Sequence, residues 1–188
     1  MTDREPAHPL VVELIDTLRA ASVGGPVIEV GSGSGRNTRA LEAAGITVTA
    51  LDDGTTYTQL SVPARRFAAG ISTHAYLHGE TGKVRVGLAE LGRVLVPRAP
   101  VVLTLGSIRD TRFGFGIPYD DTTFAPGDGP EMGIPHAYFD REGALDVLRP
   151  FEVLSLEEVP VDEIVGRWAH DTQEANGRIH WFVRARKR

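Results

Sequence analysis

Apolar residues along this chain follow two periods in turn. Over Pro9–Ala21, Leu10, Leu14, Ile15 and Leu18 recur at the spacing of one helical face, with Pro9 at a first-turn position and Gly24-Gly25 beyond the end. Pro26–Val30 is a short apolar run stopped by Gly31, which reads as a buried strand. Arg36–Ala44 is helical in composition and ends at Gly45, while β-branched Ile46–Leu51 predicts a second strand closing on Asp52-Asp53-Gly54. Phe67–Ser72 predicts a third strand. Val84, Leu88, Leu91 and Leu95 mark a helix that Pro97 closes, and Pro100–Leu105 is again strand-like. Asp140 suits the cap of a short helix reaching Leu148, and Phe151–Val159 and Ile179–Ala185 predict two final strands. Strands alternating with helices predict an α/β sheet, mainly parallel, with helices on both faces. The Gly-, Pro- and Asp-rich stretch from Ser107 to Pro135 exceeds the ~12–15 residues of a structureless loop, so it is expected to carry structure or function.

Composition narrows the class. The 188 residues fit one domain, and 41% hydrophobic with 24% charged residues argues against disorder. A net charge of −5 makes the phosphate backbone of nucleic acid an unfavourable partner. The absence of cysteine excludes disulfides, thiolate zinc sites and cysteine nucleophiles. No apolar run approaches the ~20 residues of a membrane span. Met1–Pro9 lacks the apolar core of a signal peptide, so a cytoplasmic protein is expected.

The most informative stretch is Val27–Gly35, where Gly31, Gly33 and Gly35 alternate between a predicted strand and a predicted helix. Such a turn lets the backbone approach a ligand that a Cβ would block, and the helix N-terminus favours an anionic group. A dinucleotide fingerprint, G-x-G-x-x-G, fails in both registers, because Arg36 and Thr38 stand where the third glycine belongs.

The arrangement Glu29, Gly31, Gly33, Gly35 resembles the first motif of class I S-adenosylmethionine (SAM)-dependent methyltransferases. The order of later segments agrees: acids ending the second strand, then Leu60–Ser72, Leu91–Pro97 and Val101–Thr104. Gly35–Thr38, Ile71–Thr73, Gly133–Pro135, Phe151–Val153, Ala175–Arg178 and Ala185–Lys187 are similar to the small tellurite-resistance-type methyltransferases. The resemblance implies a Rossmann-like methyltransferase fold over 1–188, a helix at 9–21 and a substrate-covering insertion at 106–139. It implies SAM as cofactor, S-adenosylhomocysteine as product and a small-molecule acceptor, with no nucleic acid and no membrane. Cofactor contacts would come from Glu29, Gly31, Ser32, Gly33, Gly35, Asn37 and Thr73, with Asp52 or Asp53 on the ribose and Gln59 and Leu60 beside the adenine. A non-catalytic SAM-binding protein of the same fold is the alternative.

Only 18 positions separate Asp53 from Ile71, too few for the helix and strand the family places there. A shortened sheet of about six strands with the last antiparallel is therefore expected. Thr56 and Tyr57 stand near where the family's adenine-side acid would lie. The new edge at Ile46–Leu51 needs a cover, from Thr55–Pro63 or from a second copy in a homodimer.

Methyl transfer from a sulfonium needs chiefly in-line placement in a dry site, and a base only where the acceptor carries a proton. His74 and His136 are the candidate catalytic residues, and His78, Arg112, Tyr119 and Tyr138 the candidate substrate contacts. His74 and His78 are spaced to share a helical face, but no carboxylate accompanies them in the chain, so no metal is expected. Phe113, Phe115 and Phe124 would pin the insertion to the domain, and Trp181 reads as core.

Overall fold

The computed structural model describes residues 6–21, 24–52, 57–129, 131–161 and 177–188; Asp53, Thr56, Trp168 and His170 lie outside the described residues. The elements in chain order are α1 (Pro9–Ala20), β1 (Val27–Val30), α2 (Arg36–Ala43), β2 (Val48–Leu51), β3 (Ala69–Ser72), α3 (Thr81–Val94), β4 (Pro100–Ser107), β5 (Ile117–Asp120), β6 (Thr123–Ala125), β7 (His136–Phe139), α4 (Arg141–Val147), β8 (Phe151–Pro160) and β9 (Ile179–Lys187).

Strands β2, β1, β3 and β4 pair in parallel in that order, β9 runs antiparallel to β4, and β8 antiparallel to β9. These six form the body of the sheet, with β9 as its reversed strand and β2 at one edge of the described residues. The expected long loop is instead a three-stranded arm. Antiparallel β5, β6 and β7 branch from the end of β4, where Gly106 and Ser107 pair with Tyr138 and Phe139. Sequence periodicity missed β5 because all four of its residues are exposed and one is Pro118.

Alternation along the central strands sends side chains to two cores. Val27, Ile71, Val102 and Phe182 meet α1 and α2 on one face, while Ile28, Val30, Val101 and Leu103 meet α3 and α4 on the other. Five side chains of α1 (Leu10, Val11, Leu14, Ile15 and Leu18) are buried there. At roughly 1.5–3 kcal/mol each, their burial holds a 12-residue helix that would be marginal alone. His8 caps α1, its Nδ1 accepting from the Leu10 N–H at 3.2 Å, and Asp140 caps α4 as expected, accepting from the Gly143 N–H at 2.7 Å.

The 57–62 segment is strapped to α3. Glu90 accepts from the Leu60 N–H at 3.0 Å, and Arg93 donates to the carbonyls of Leu60 and Val62 at 2.9 and 3.2 Å. Tyr57 donates to the His78 carbonyl and packs edge-on against Tyr76. It is therefore part of the core. No helix among the described residues is long and apolar enough to cross a membrane.

Candidate functional site

The turn from β1 to α2 lies at the carboxyl end of the parallel strands, where β2 and β3 flank β1 on opposite sides. In open α/β sheets this reversal of strand order opens a ligand crevice. Gly31, Gly33 and Gly35 have φ of 77°, 48° and 73°, a region that side-chain-bearing residues rarely adopt. The Gly31 and Ser32 N–H groups donate to the Leu51 carbonyl at 2.6 and 3.1 Å, and the Gly33 N–H donates to Asp52 Oδ1 at 2.9 Å. A Cβ on Gly31 would come within 2.7 Å of Ala75 Cβ, whereas one on Gly33 would meet nothing within 4 Å. One glycine thus permits close packing, and the other faces open space.

Beneath the turn is a buried polar brace. Glu29 is fully buried; its carboxylate accepts from Asn37 Nδ2 at 2.9 Å and from Thr38 Oγ1 at 2.6 Å. Asn37 also donates to Thr73 Oγ1 at 3.2 Å and accepts from the His8 N–H at 2.9 Å. Burial raises the Glu29 carboxyl above its ordinary range, against the lowering effect of the Thr38 and Asn37 bonds and of nearby Arg36. Glu29, Asn37 and Thr73 therefore support the turn from below, while Ser32, Gly33, Asp52 and Gln59 are at least partly exposed around it. Leu60 is core, held against α3.

His74 and His78 do not share a helical face, because the chain between them makes only a single 3₁₀ turn, Ala75–Leu77. The His74 ring lies 6.4 Å from that of His8 and 6.2 Å from that of His180, and His8 packs on Phe182 at 4.9 Å. Burial lowers all three, helped by neighbouring positive groups: His8 and His180 to about 3, and His74 well below its ordinary value. The trio is neutral at physiological pH.

His78 turns the other way, toward the arm. Its backbone bridges His136, and the two rings meet edge-on at 4.8 Å. Between them stands Glu131, with Oε1 3.3 Å from His78 Nε2 and Oε2 3.3 Å from His136 Nε2. Arg112 Nη1 approaches Oε2 at 3.1 Å. Burial works against the Glu131 charge, yet the His136 and His78 imidazoles hold its carboxyl well below the usual range.

Sequence reasoning missed Glu131, which lies 53 residues from His78 in a Gly- and Pro-rich stretch with no periodicity. Its only local signal is a carboxylate five positions before His136. Arg112, Phe115, Phe124, Glu131 and Tyr138 line a cavity of about 220 Å³. Phe113, Phe124 and Tyr138 pack ring to ring, as expected of residues that pin the arm, whereas Phe115 is 72% exposed. Tyr119, on β5, is exposed and is not among the residues lining that cavity.

The arm is rooted by Asp110. Its buried carboxylate accepts from Arg178 Nε at 3.1 Å and from the N–H groups of Ile179 and Arg112 at 3.0 and 2.8 Å. The glycine turn and the arm's cluster are adjacent through one short path, since Gly31 packs on Ala75 and the 3₁₀ turn from Ala75 delivers His78. Trp181 is core, its Nε1 donating to the Phe139 carbonyl at 2.8 Å.

No protein-family model and no curated protein matches the sequence. Solved structures do match in fold. A SAM-dependent methyltransferase from Methanosarcina mazei aligns with a TM-score of 0.67 at 16% identity, over 88% of this chain and 93% of that one. The 1,6-didemethyltoxoflavin-N1-methyltransferase of Burkholderia thailandensis, solved with 1,6-didemethyltoxoflavin and S-adenosylhomocysteine, aligns with a TM-score of 0.63 at 17% identity, over 99% and 80%. A SAM-dependent methyltransferase from Mesorhizobium loti aligns at 0.59 and 17%, over 92% and 96%. The fold is thus the Rossmann-like methyltransferase fold.

Proposed function

We propose that this protein binds SAM in the crevice above the glycine turn and transfers its methyl group to a small-molecule acceptor held under the arm. The observation that carries the reading is the turn itself: three left-handed glycines between β1 and α2, tied to the carboxylate that ends β2. In this reading Gly33 leaves room for the cofactor, and Asp52, on the exposed side of the turn, offers a carboxylate to the paired ribose hydroxyls. Glu29, Asn37 and Thr73 act through the turn, by fixing its shape from below.

The acceptor would sit beside Arg112, Tyr138 and the His78–His136 pair, within reach of the cofactor because the Ala75–Leu77 turn joins the two regions. Holding donor and acceptor about 3–3.5 Å apart in a dry site supplies most of the rate such a transfer needs. Among the described residues no strand stands between β2 and β3, which supports an adenine side more open than the family usually has. We expect weaker cofactor affinity as a result. The small-molecule ligand of the Burkholderia neighbour supports an acceptor of similar class.

Calorimetric titration with SAM, S-adenosylhomocysteine and NAD tests the reading. Micromolar binding of the first two, weakened about tenfold or more in Asp52→Ala and absent for NAD, is the expected result. No SAM binding at millimolar ligand would overturn it.

A further inference from the structure

The three side chains brought together by the arm form a donor set that methyl transfer does not require. A ring nitrogen of His78, a ring nitrogen of His136 and a Glu131 carboxylate oxygen lie within 4.8 Å of one another. Each imidazole nitrogen is 3.3 Å from one oxygen of that carboxylate. An ion with ligands at about 2.0–2.1 Å in a tetrahedron has donors about 3.3–3.4 Å apart, and both imidazole–carboxylate separations have that size, each to a different oxygen.

The hydrogen bonding of His136 points the same way. Its Nδ1 lies 2.8 Å from the Ile134 carbonyl, which can only accept, so Nδ1 carries a proton. Its other ring nitrogen, Nε2, faces Glu131 Oε2 at 3.3 Å. A ring whose far nitrogen is fixed on a backbone carbonyl is also the usual second layer of a metal-bound histidine.

We propose that His78, Glu131 and His136 bind one divalent transition ion of the borderline class, zinc or cobalt(II). Two imidazoles and one carboxylate match that class better than magnesium or calcium, which prefer all-oxygen sites. Of the three, Glu131 also lines the arm's cavity, with Arg112 and Tyr138, so an acceptor bound there would reach the ion from the carboxylate's side. The ion's use rests on the methyltransferase reading: it would hold one oxygen or nitrogen of the acceptor and lower its proton affinity, favouring acceptors whose methylated atom carries a proton. Ion binding itself does not depend on that reading.

The test uses tag-free, full-length protein stripped with chelator and titrated with Co²⁺ and Zn²⁺, with SAM binding measured in parallel. One equivalent of Co²⁺ is expected, with visible absorption of a low-coordinate, nitrogen-bearing site that Zn²⁺ displaces. Glu131→Gln should weaken uptake about 100-fold. His78→Ala should do the same; its side chain is a third exposed, so the core is spared. No uptake at millimolar metal overturns the proposal, as does uptake that neither variant changes. So does a His136 ring found doubly protonated by NMR at pH 7 and unaltered by Zn²⁺. Metal uptake without SAM binding refutes the methyltransferase reading alone; SAM binding without metal uptake refutes the ion site alone.

Discussion

Acid should destabilise this protein well above the pH at which carboxylates titrate. His8, His74 and His180 are packed together beneath α1 and are held neutral, His8 and His180 to about pH 3. In the unfolded chain each takes up a proton near pH 6.5. The sign follows directly: a histidine whose folded pKa is depressed leaves the unfolded state binding more protons below pH 6.5, so stability falls as pH falls. Between pH 7 and pH 5 His8 and His180 each contribute a loss of about 2 kcal/mol, about 4 kcal/mol together, and His74, also held neutral by burial, adds in the same direction. Glu29, raised by burial, works in the opposite direction by taking up a proton in the folded state. The net loss is therefore on the order of 4 kcal/mol, a large part of the roughly 5–15 kcal/mol that keeps a domain folded. Urea unfolding at half-unit steps from pH 7.5 to 5 measures it.

His8→Asn sharpens the test. Asparagine is a good N-cap, so it can replace the bond from the Leu10 N–H while removing one titrating group. The variant should lose about 2 kcal/mol less than the parent over the same pH range. A parent whose stability changes by under about 2 kcal/mol, or a variant with an unchanged pH slope, would falsify the account of the trio.

Three further outcomes follow from packing and pairing. Gly87→Ala in α3 would place a Cβ 2.3 Å from Tyr57 Cδ2 and 2.8 Å from Tyr76 Cε1, so thermal unfolding should show a loss of about 1–3 kcal/mol or more. Asp110→Ala strands the Arg178 guanidinium and two backbone N–H groups, and should lower stability by about 3 kcal/mol while exposing the root of the arm to limited proteolysis. Gly31→Ala places a Cβ against Ala75 and should lower stability, whereas Gly33→Ala puts its Cβ into the space assigned to the cofactor and should lower SAM affinity about tenfold; thermal unfolding and calorimetry on both variants separate the two effects.

Much of the fold was legible in the chain because its elements obey local rules. The period of Leu10, Leu14, Ile15 and Leu18, the proline and glycine boundaries and the Asp140 cap each specify local structure through backbone geometry, and each appears within a residue or two. The glycine turn was equally legible, since positive φ at Gly31, Gly33 and Gly35 is a property of the backbone that the residue type itself announces. The arm was not. Its strands are three or four residues long, one fully exposed, and they form only because partners far along the chain complete their hydrogen bonds.

The same division runs through the site. The family resemblance marked Glu29, Asn37 and Thr73, but only packing made them a brace buried beneath the turn. His74 and His78 are four positions apart, and nothing local predicts that one joins His8 and His180 while the other joins Glu131 and His136. Backbone preferences act over a few residues and are written in the sequence. The chemistry of a cluster depends on which side chains the sheet and arm bring within 3 or 4 Å, and long-range pairing alone decides that.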